Sequence, residues 1–291
     1  MISVVIISKD EESLDGTLTA VVAQARSLPE SCEVVVVDAS AGRLEHIREH
    51  HRGEIRWLDY QPPAGLSTSI PQQRNAGIAA ASGEIIVFTD AGCTPASGWL
   101  DRLVAPLHTG EHVTAGLTTG TTTGIGLYDR TPAEIAATDY LRECPTINMA
   151  FSRKAHDAVG GLDERFAYGS DIDFSWRLVD AGYPIRLVKD AVVQHDWGTR
   201  RRQLRRSYRY GKARARLYRK HRTRLKGILR TDPMVVVYPA FLLGLPLTIL
   251  FPLYPALLLI PAWRNRAHGS VRVLVDHLAF GLGVLVELAG R

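Results

Sequence analysis

Cysteine is scarce in this chain: Cys32, Cys93 and Cys144 are the only three in 291 residues. They stand far apart, without metal-type spacing, which argues against a disulfide framework and suggests a reducing compartment. No signal peptide is expected, because the first apolar run, Ile2 to Ile7, is too short and leads straight into Lys9-Asp10-Glu11-Glu12. Acid is missing from one long stretch. Fifteen of the 35 Lys and Arg lie between Arg200 and Arg230, where there is no Asp or Glu, so the rest of the chain holds twenty basic residues against 30 acidic. The formal net charge of +5 therefore hides an acidic body with one intensely basic segment. Charge of either sign is missing from the 28 residues Met234 to Pro261. What remains is ordinary for a globular chain, 46% hydrophobic and 22% charged, and long enough for one large domain or two modest ones.

The first half alternates strands and helices. Ile2 to Ile7, Glu33 to Asp38 and Ile85 to Asp90 are apolar runs of the kind found in buried parallel strands. Ile55 to Leu58 reads as a shorter strand. Residues 14–25, 43–51 and 72–81 read as the intervening helices, the last closed by Gly83. This β-α-β-α-β order predicts an α/β fold, a parallel sheet with helices on both faces. Residues 115–126, rich in Gly and Thr, are expected as a surface loop. Further on, helices are expected at 153–160 and 172–181, and short strands at 185–188 and 191–193.

Beyond Trp197 the character changes. Leu204, Tyr208, Gly211, Ala215 and Tyr218 recur at helical spacing among arginines, which predicts a basic amphipathic helix. The uncharged run exceeds the roughly 20 residues that cross a bilayer core. Prolines 239, 246, 252, 255 and 261 interrupt it, so a broken helix or re-entrant hairpin is favoured over one straight span. Residues 271–289 carry Asp276, His277 and Glu287, and read as a second span with polar groups facing its partner or as an interfacial helix. The expected division is 1–198, a basic linker 199–232, and a membrane-associated α-helical tail 233–291. The basic belt would then meet anionic lipids on the cytoplasmic side of the cell membrane. A buried helical subdomain is the alternative for the tail.

Several chemistry-bearing groups fall at strand ends and turns: Ser8-Lys9-Asp10-Glu11, Asp38-Ala39-Ser40, Arg74-Asn75, Asp90-Ala91-Gly92-Cys93, Asn148, Ser170-Asp171-Ile172-Asp173 and His195. In open α/β sheets, ligands bind outside the carboxyl ends of the strands. A carboxylate such as Asp90 there can hold a hard cation and through it a diphosphate, or it can simply cap a turn. Asp38 has the same turn-forming alternative, and Arg74 the alternative of a solvated helix charge. Asp171 and Asp173 both precede or open a helix and are N-cap candidates.

In order and spacing, these motifs resemble glycosyltransferase family 2, with the GT-A fold, over residues 1–198. The resemblance implies an inverting transfer of sugar from a nucleotide-diphosphate donor, UDP- or GDP-linked, to an acceptor hydroxyl. It assigns Ser8, Asp10, Glu11, Asp38, Arg74, Asn75, Asp90 and Ala91 to the nucleotide-sugar side, Asp38 contacting the base and Arg74 lying near the phosphates. Asp171 matches the general base, and Asn148, Ser170, Trp176 and Arg177 fall on the acceptor side. Asp90 matches the first acid of the Asp-X-Asp metal motif, with His195 as second ligand for Mn2+ or Mg2+. Two positions depart from the pattern: Gly92 stands where the motif's second acid is usual, and Ser170 where Glu usually precedes the base. Trp99 reads as core, and residues 118–123 as a candidate acceptor lid. The acceptor is expected to be lipid-linked or a glycan, as in cell-envelope synthesis, and nucleic acid is not an expected partner. Two rival readings remain: a non-catalytic membrane-bound nucleotide-sugar binder, and a nucleic-acid binder using Tyr208, Tyr210 and Tyr218 within the basic helix.

Overall fold

The computed structural model describes residues 1–120, 136–196, 198–264 and 270–290. They fall into two compact units, one holding the described residues up to Asp196 and the other those from Gly198 onward.

The first unit is built on β1 (Ile2–Ser8), β2 (Cys32–Asp38), β3 (Arg56–Asp59) and β4 (Ile85–Asp90), all mutually parallel. β1 is buried along its whole length, as its unbroken apolar run requires. Helix α1 (Leu14–Ser27) buries Leu14, Leu18, Val21 and Val22, spaced by three to four residues, on one face of the sheet. α2 (Glu45–His50) follows β2, and α3 (Ile70–Ala80) lies on the opposite face to α1. α3 approaches the sheet closely at Gly77: a side chain there would collide with Val5.

The chain order places β1 in the middle, with β2 and β3 on one side and β4 on the other. The boundary between β1 and β4 is thus the topological switch point, where a crevice opens at the carboxyl ends of the strands. The register puts Ser8 opposite Asp38 and Ile7 opposite Asp90, so three polar strand ends lie at one level.

Beyond β4 the sheet becomes mixed. β5 (Cys93–Pro95), α4 (Trp99–His108), β6 (Val113–Gly120), β7 (Tyr140–Leu141), β8 (Met149–Ser152), α5 (Arg153–Val159), α6 (Ser170–Asp180) and β9 (Ile185–His195) complete the unit. The sheet order is β3-β2-β1-β4-β8-β6-β9-β5, with β7 paired to β9.

Two sequence expectations change here. Residues 113–120, expected in part as a loop, form β6, parallel to β9. Threonine is β-branched and suits a strand, and Gly116 is needed because a side chain there would strike the Ala191 carbonyl. The rest of the expected lid, residues 121–123, lies outside the described residues. The two short strands expected at 185–193 are one strand, β9, whose register with β6 jumps from Gly116–Val188 to Leu117–Val192.

The second unit is helical. It contains α7 (Arg200–Lys220), the short α8 (Ile228–Thr231), α9 (Met234–Leu243), α10 (Leu259–Arg264) and α11 (Ser270–Ala289). Two 3-10 segments, Leu245–Ile249 and Tyr254–Leu258, lie between α9 and α10. α7 and α11 approach at their glycines: a side chain at Gly211 would strike the Phe280 carbonyl, and one at Gly283 the Tyr208 carbonyl. The acids of α11 pair with the cations of α7. Arg200 Nη1 donates to Asp276 Oδ2 at 2.6 Å, and Arg216 Nε and Arg219 Nη2 both reach Glu287 Oε1 at 2.8 Å.

No helix among the described residues is long and apolar enough to cross a membrane. The uncharged run forms short helical pieces; Pro246 and Pro255 open the two 3-10 segments, where a missing N–H costs least, while Pro239 lies within α9. The run 271–289, read as a span or an interfacial helix, is a helix whose acids face α7.

Candidate active site

The crevice at the switch point is organised by hydrogen bonds between strand ends. Asp10, the second residue past β1, has a φ of +57°, a conformation that Asp tolerates better than most residues. Its N–H donates to Ser40 Oγ at 2.8 Å, and its carboxylate accepts from Arg43 Nε at 2.6 Å. Asp38 is 2% exposed; its carboxylate accepts from Ser40 N–H at 3.1 Å and from the Ser40 hydroxyl at 2.5 Å. Gln73 ties the two strands from α3, its Nε2 donating to the carbonyls of Ser8 at 2.8 Å and Val37 at 2.9 Å.

Arg74, one residue on, is the centre of the site. It is 4% exposed, with its guanidinium 5.3 Å from the centroid of the Phe88 ring. Its Nη2 donates to Asp90 Oδ1 at 2.6 Å, and its Nη1 donates to Thr146 Oγ1. Its Nε is buried without a hydrogen-bond partner, as is the hydroxyl of Ser8. Unpaired buried polar groups are uncommon in folded proteins, and they concentrate where a ligand supplies the missing partner. The alternative of a solvated helix charge does not hold for Arg74.

The metal-motif loop follows directly. Gly92 has a φ of +84°, and a side chain there would begin 2.9 Å from Ser13 Oγ and 4.0 Å from His195 Cε1. Gly92 N–H donates to Thr17 Oγ1 at 3.1 Å, and the Thr17 hydroxyl donates to the Cys93 carbonyl at 2.8 Å. Antiparallel pairing sets Cys93 opposite His195. A histidine over one hundred residues away in sequence therefore lies against the position where the second acid of the motif would project. Cys93 Sγ is 3.7 Å from His195 Nδ1. Burial first, and then the charge of Asp90, push the Cys93 thiol up to about 12, so it is protonated at neutral pH and is no anionic ligand.

Asp171 sits in the first turn of α6, where its carboxylate suits the positive end of the helix. It accepts from the Ile172 N–H at 2.9 Å. The helix begins at Ser170 with Gly169 as N-cap, so neither Asp171 nor Asp173 is the cap. Asp173 is instead fully buried and pairs with Arg177 at 2.9 Å. α6 is linked to the Arg74–Asp90 pair through one short segment: Ser175 Oγ donates to the Cys144 carbonyl at 3.0 Å, and Thr146, two residues later, accepts from Arg74.

Four residues assigned to the acceptor or nucleotide side are engaged within the fold. Asn148 is 1% exposed; its Oδ1 accepts from Trp99 Nε1 at 2.8 Å, and its Nδ2 donates to the carbonyls of Leu117 and Ala191. Asn75 brackets the backbone of Leu162, accepting from its N–H at 2.8 Å and donating to its carbonyl at 2.9 Å. Trp176 is buried and donates to Glu143 at 2.8 Å, while Arg177 donates to the carbonyls of Val159 and Gly161. Ser170 is also buried. Glu11, by contrast, is on the surface side, accepting from Ser13 Oγ at 2.7 Å, and Ala91 is half-buried. Sequence reasoning missed Gln73, Thr17 and Thr146. Adjacency to Arg74 could have flagged Gln73, but nothing local marks Thr146.

Comparison with known proteins bears on the family and the fold. Residues 3–162 match the model of glycosyl transferase family 2, and residues 142–263 match that of glycosyl transferase family group 2. The chain is 31% identical over 144 residues to the pre-mycofactocin glycosyltransferase of Mycobacterium tuberculosis, a match covering 44% of this chain and only 30% of that protein. It is 27% identical over 251 residues to glycosyltransferase AglE of Haloferax volcanii, covering 81% and 80% of the two chains. Among solved structures, the mannosyltransferase PcManGT of Pyrobaculum calidifontis, in complex with GDP-Man and Mn2+, superposes with a TM-score of 0.69 at 16% identity, over 100% of this chain and 87% of that one. TarS of S. aureus gives 0.54 at 15% identity, over 75% and 43%. The fold is GT-A-like α/β with a mixed sheet, and the chain belongs to glycosyl transferase family 2.

Proposed function

We propose that the chain transfers a sugar, with inversion, from a UDP- or GDP-linked donor to an acceptor hydroxyl. The observation that carries this reading is the buried Arg74–Asp90 pair at the switch point, with Arg74 Nε lacking a partner. A guanidinium held between Thr146 and Asp90 is pre-oriented toward a phosphate, which it can meet in bidentate fashion. The loop stitched by Asp10, Asp38 and Ser40 would border the nucleoside. Asp38 supports that loop by holding Ser40, and it would reach an imide N–H of the base only by turning away from Ser40.

Asp90 and His195 fit a divalent cation, Mn2+ or Mg2+. They supply one carboxylate, which Arg74 holds through Oδ1, and one imidazole set against the open position above Gly92. Such cations need few protein ligands when phosphate oxygens and water complete the shell. Bound there, the cation would stabilise charge on the departing diphosphate. Asp171 would take the proton of the acceptor hydroxyl as that oxygen attacks the anomeric carbon, a role that contributes about 10²–10⁴-fold. The solved mannosyltransferase with GDP-Man and Mn2+ supports the donor class and the cation.

The test is Asp171→Asn. Donor affinity, by calorimetry with Mn2+, should be retained while transfer falls about 10²–10⁴-fold; substantial residual transfer would remove Asp171 from the role of base.

We also propose membrane attachment without a span. Ile249, Leu250, Phe251, Leu253, Leu259 and Trp263 are exposed apolar side chains in the segments after α9, in the same unit as the basic α7. A lipid-linked acceptor on the cytoplasmic face would then be within reach of the enzyme.

A further inference from the structure

Three titratable side chains outside the strand-end crevice converge on one point at the α1–α2 surface. Asp15 lies in the first turn of α1, His50 ends α2, and His51 follows it. Asp15 Oδ1 is 2.7 Å from His50 Nδ1 and 3.0 Å from His51 Nε2, and the three ligand atoms all lie within 4.8 Å of one another. We propose that Asp15, His50 and His51 form a binding site for Zn2+ or a cation of similar softness, distinct from the site at Asp90.

Chemistry favours a cation at this point. His51 is 96% buried at its side chain, and its two ring nitrogens face two carboxylates: Nε2 faces Asp15, and Nδ1 faces Glu54 Oε2 at 3.5 Å. Glu54 is itself paired with Arg26. When Nδ1 carries the proton toward Glu54, Nε2 presents a lone pair to an anionic oxygen of Asp15. In the other tautomer Nε2 donates to Asp15 at 3.0 Å, so a cation here takes the place of that proton. A carboxylate behind a ring nitrogen is also the usual outer support of a metal-bound histidine, fixing its tautomer and orientation. The donor set is thus two imidazoles and one carboxylate, with ring and carboxylate partly exposed on the His50 and Asp15 side. Imidazole donors select Zn2+ over Mg2+, and three protein ligands leave a fourth position for water. Tetrahedral zinc sets its ligand atoms about 3.3 Å apart, so the two contacts of Asp15 would each lengthen by a few tenths of an ångström.

Such a cation would clamp the start of α1 to the end of α2. α1 follows the loop that carries Asp10, and α2 follows the loop that carries Ser40 and Arg43, the loops joined by the Asp10–Ser40 and Asp10–Arg43 contacts. The site is therefore structural, and it does not depend on the donor assignment above.

The experiment uses the full chain, stripped with EDTA and titrated with Zn2+ in a calorimeter, with bound zinc counted after dialysis and the melting temperature recorded. His50→Ala and Asp15→Asn are the variants; both side chains are substantially exposed, and circular dichroism checks the fold of each. The expected result is that each variant binds one equivalent of zinc fewer than the parent chain and loses the zinc-dependent rise in melting temperature. Replacing Zn2+ by Co2+ should give a tetrahedral d–d absorption in the parent that both variants lack. Equal zinc content and an equal melting response in parent and variants would overturn the proposal, as would a parent chain that retains no zinc.

Discussion

Arg74 joins Thr146 and Asp90 through its two amino groups and lies over the Phe88 ring. Lysine at this position is not a conservative change, because one ammonium cannot serve both partners in the same planar geometry. Hydrogen bonds to charged groups contribute about 1.5–3 kcal/mol each, and 1.4 kcal/mol corresponds to tenfold in affinity. Arg74→Lys should therefore weaken donor binding by roughly 10–100-fold in calorimetry with Mn2+. An affinity within twofold of the parent would show that Arg74 serves only the fold. Gly92 makes a second residue-scale case. Its departure from the acidic motif has a local cause: the left-handed backbone and the nearness of Ser13 Oγ penalise any side chain. Gly92→Asp is thus expected to cost about 1–2 kcal/mol by urea unfolding. At this scale the sequence marked Arg74, Asp90 and His195, and the fold pairs Arg74 with Asp90 and sets His195 opposite Cys93. It could not carry Thr146, whose importance comes only from the hydrogen bond that the fold lets it accept from Arg74 on α3.

Elements were legible where periodicity was strong and ambiguous where composition competed with it. β1, β2 and β4 are unbroken apolar runs and could hardly be anything else. β6 was hidden because its Gly and Thr suggest a loop; only pairing with β8 and β9 makes the segment a strand. The pair α7–α11 shows the same limit for charge. Each helix looks anomalous alone, one too basic and the other apolar with stray acids. Together, Glu287 collects Arg216, Arg219 and Lys212. The hydrogen bond from Arg216 is the largest influence on Glu287 and lowers its pKa against the opposing effect of burial. A depressed carboxyl pKa adds stability that is present above the unfolded-state value near 4.5 and is lost as pH falls through the lower folded value. The melting temperature should accordingly drop on acidification below about pH 4.5, and Glu287→Gln should remove part of that drop. Close packing at Gly211 gives a second check. Alanine would gain about 1 kcal/mol of helix propensity, but a side chain there meets the backbone carbonyl of Phe280, and overpacking typically costs about 1–3 kcal/mol. The net expectation for Gly211→Ala is a lower melting temperature.

On the scale of the whole molecule, charge and apolarity are segregated along the chain. The first 199 residues are rich in acid, the basic run 200–230 has none, and the uncharged run 234–261 follows it. The prolines favoured a broken helix or re-entrant hairpin over a straight span, and among the described residues the run folds as short helical pieces with Leu245, Leu247, Leu250 and Phe251 exposed. Exposed apolar groups of this kind mark an interaction surface. A bilayer interface suits them, because the cations of α7 belong to the same unit, and each Lys or Arg near an anionic surface adds about 1 kcal/mol of attraction. Flotation with vesicles then separates the two contributions. Vesicles containing phosphatidylglycerol should retain the chain at low salt, and raising ionic strength should weaken but not abolish retention, since screening acts on the cations alone. The double change Leu250→Glu/Phe251→Glu should abolish retention at high salt while leaving donor binding intact. Retention that survives this change, or that salt removes completely in the parent, would mean that charge alone holds the protein to lipid and that the apolar surface faces something other than a membrane.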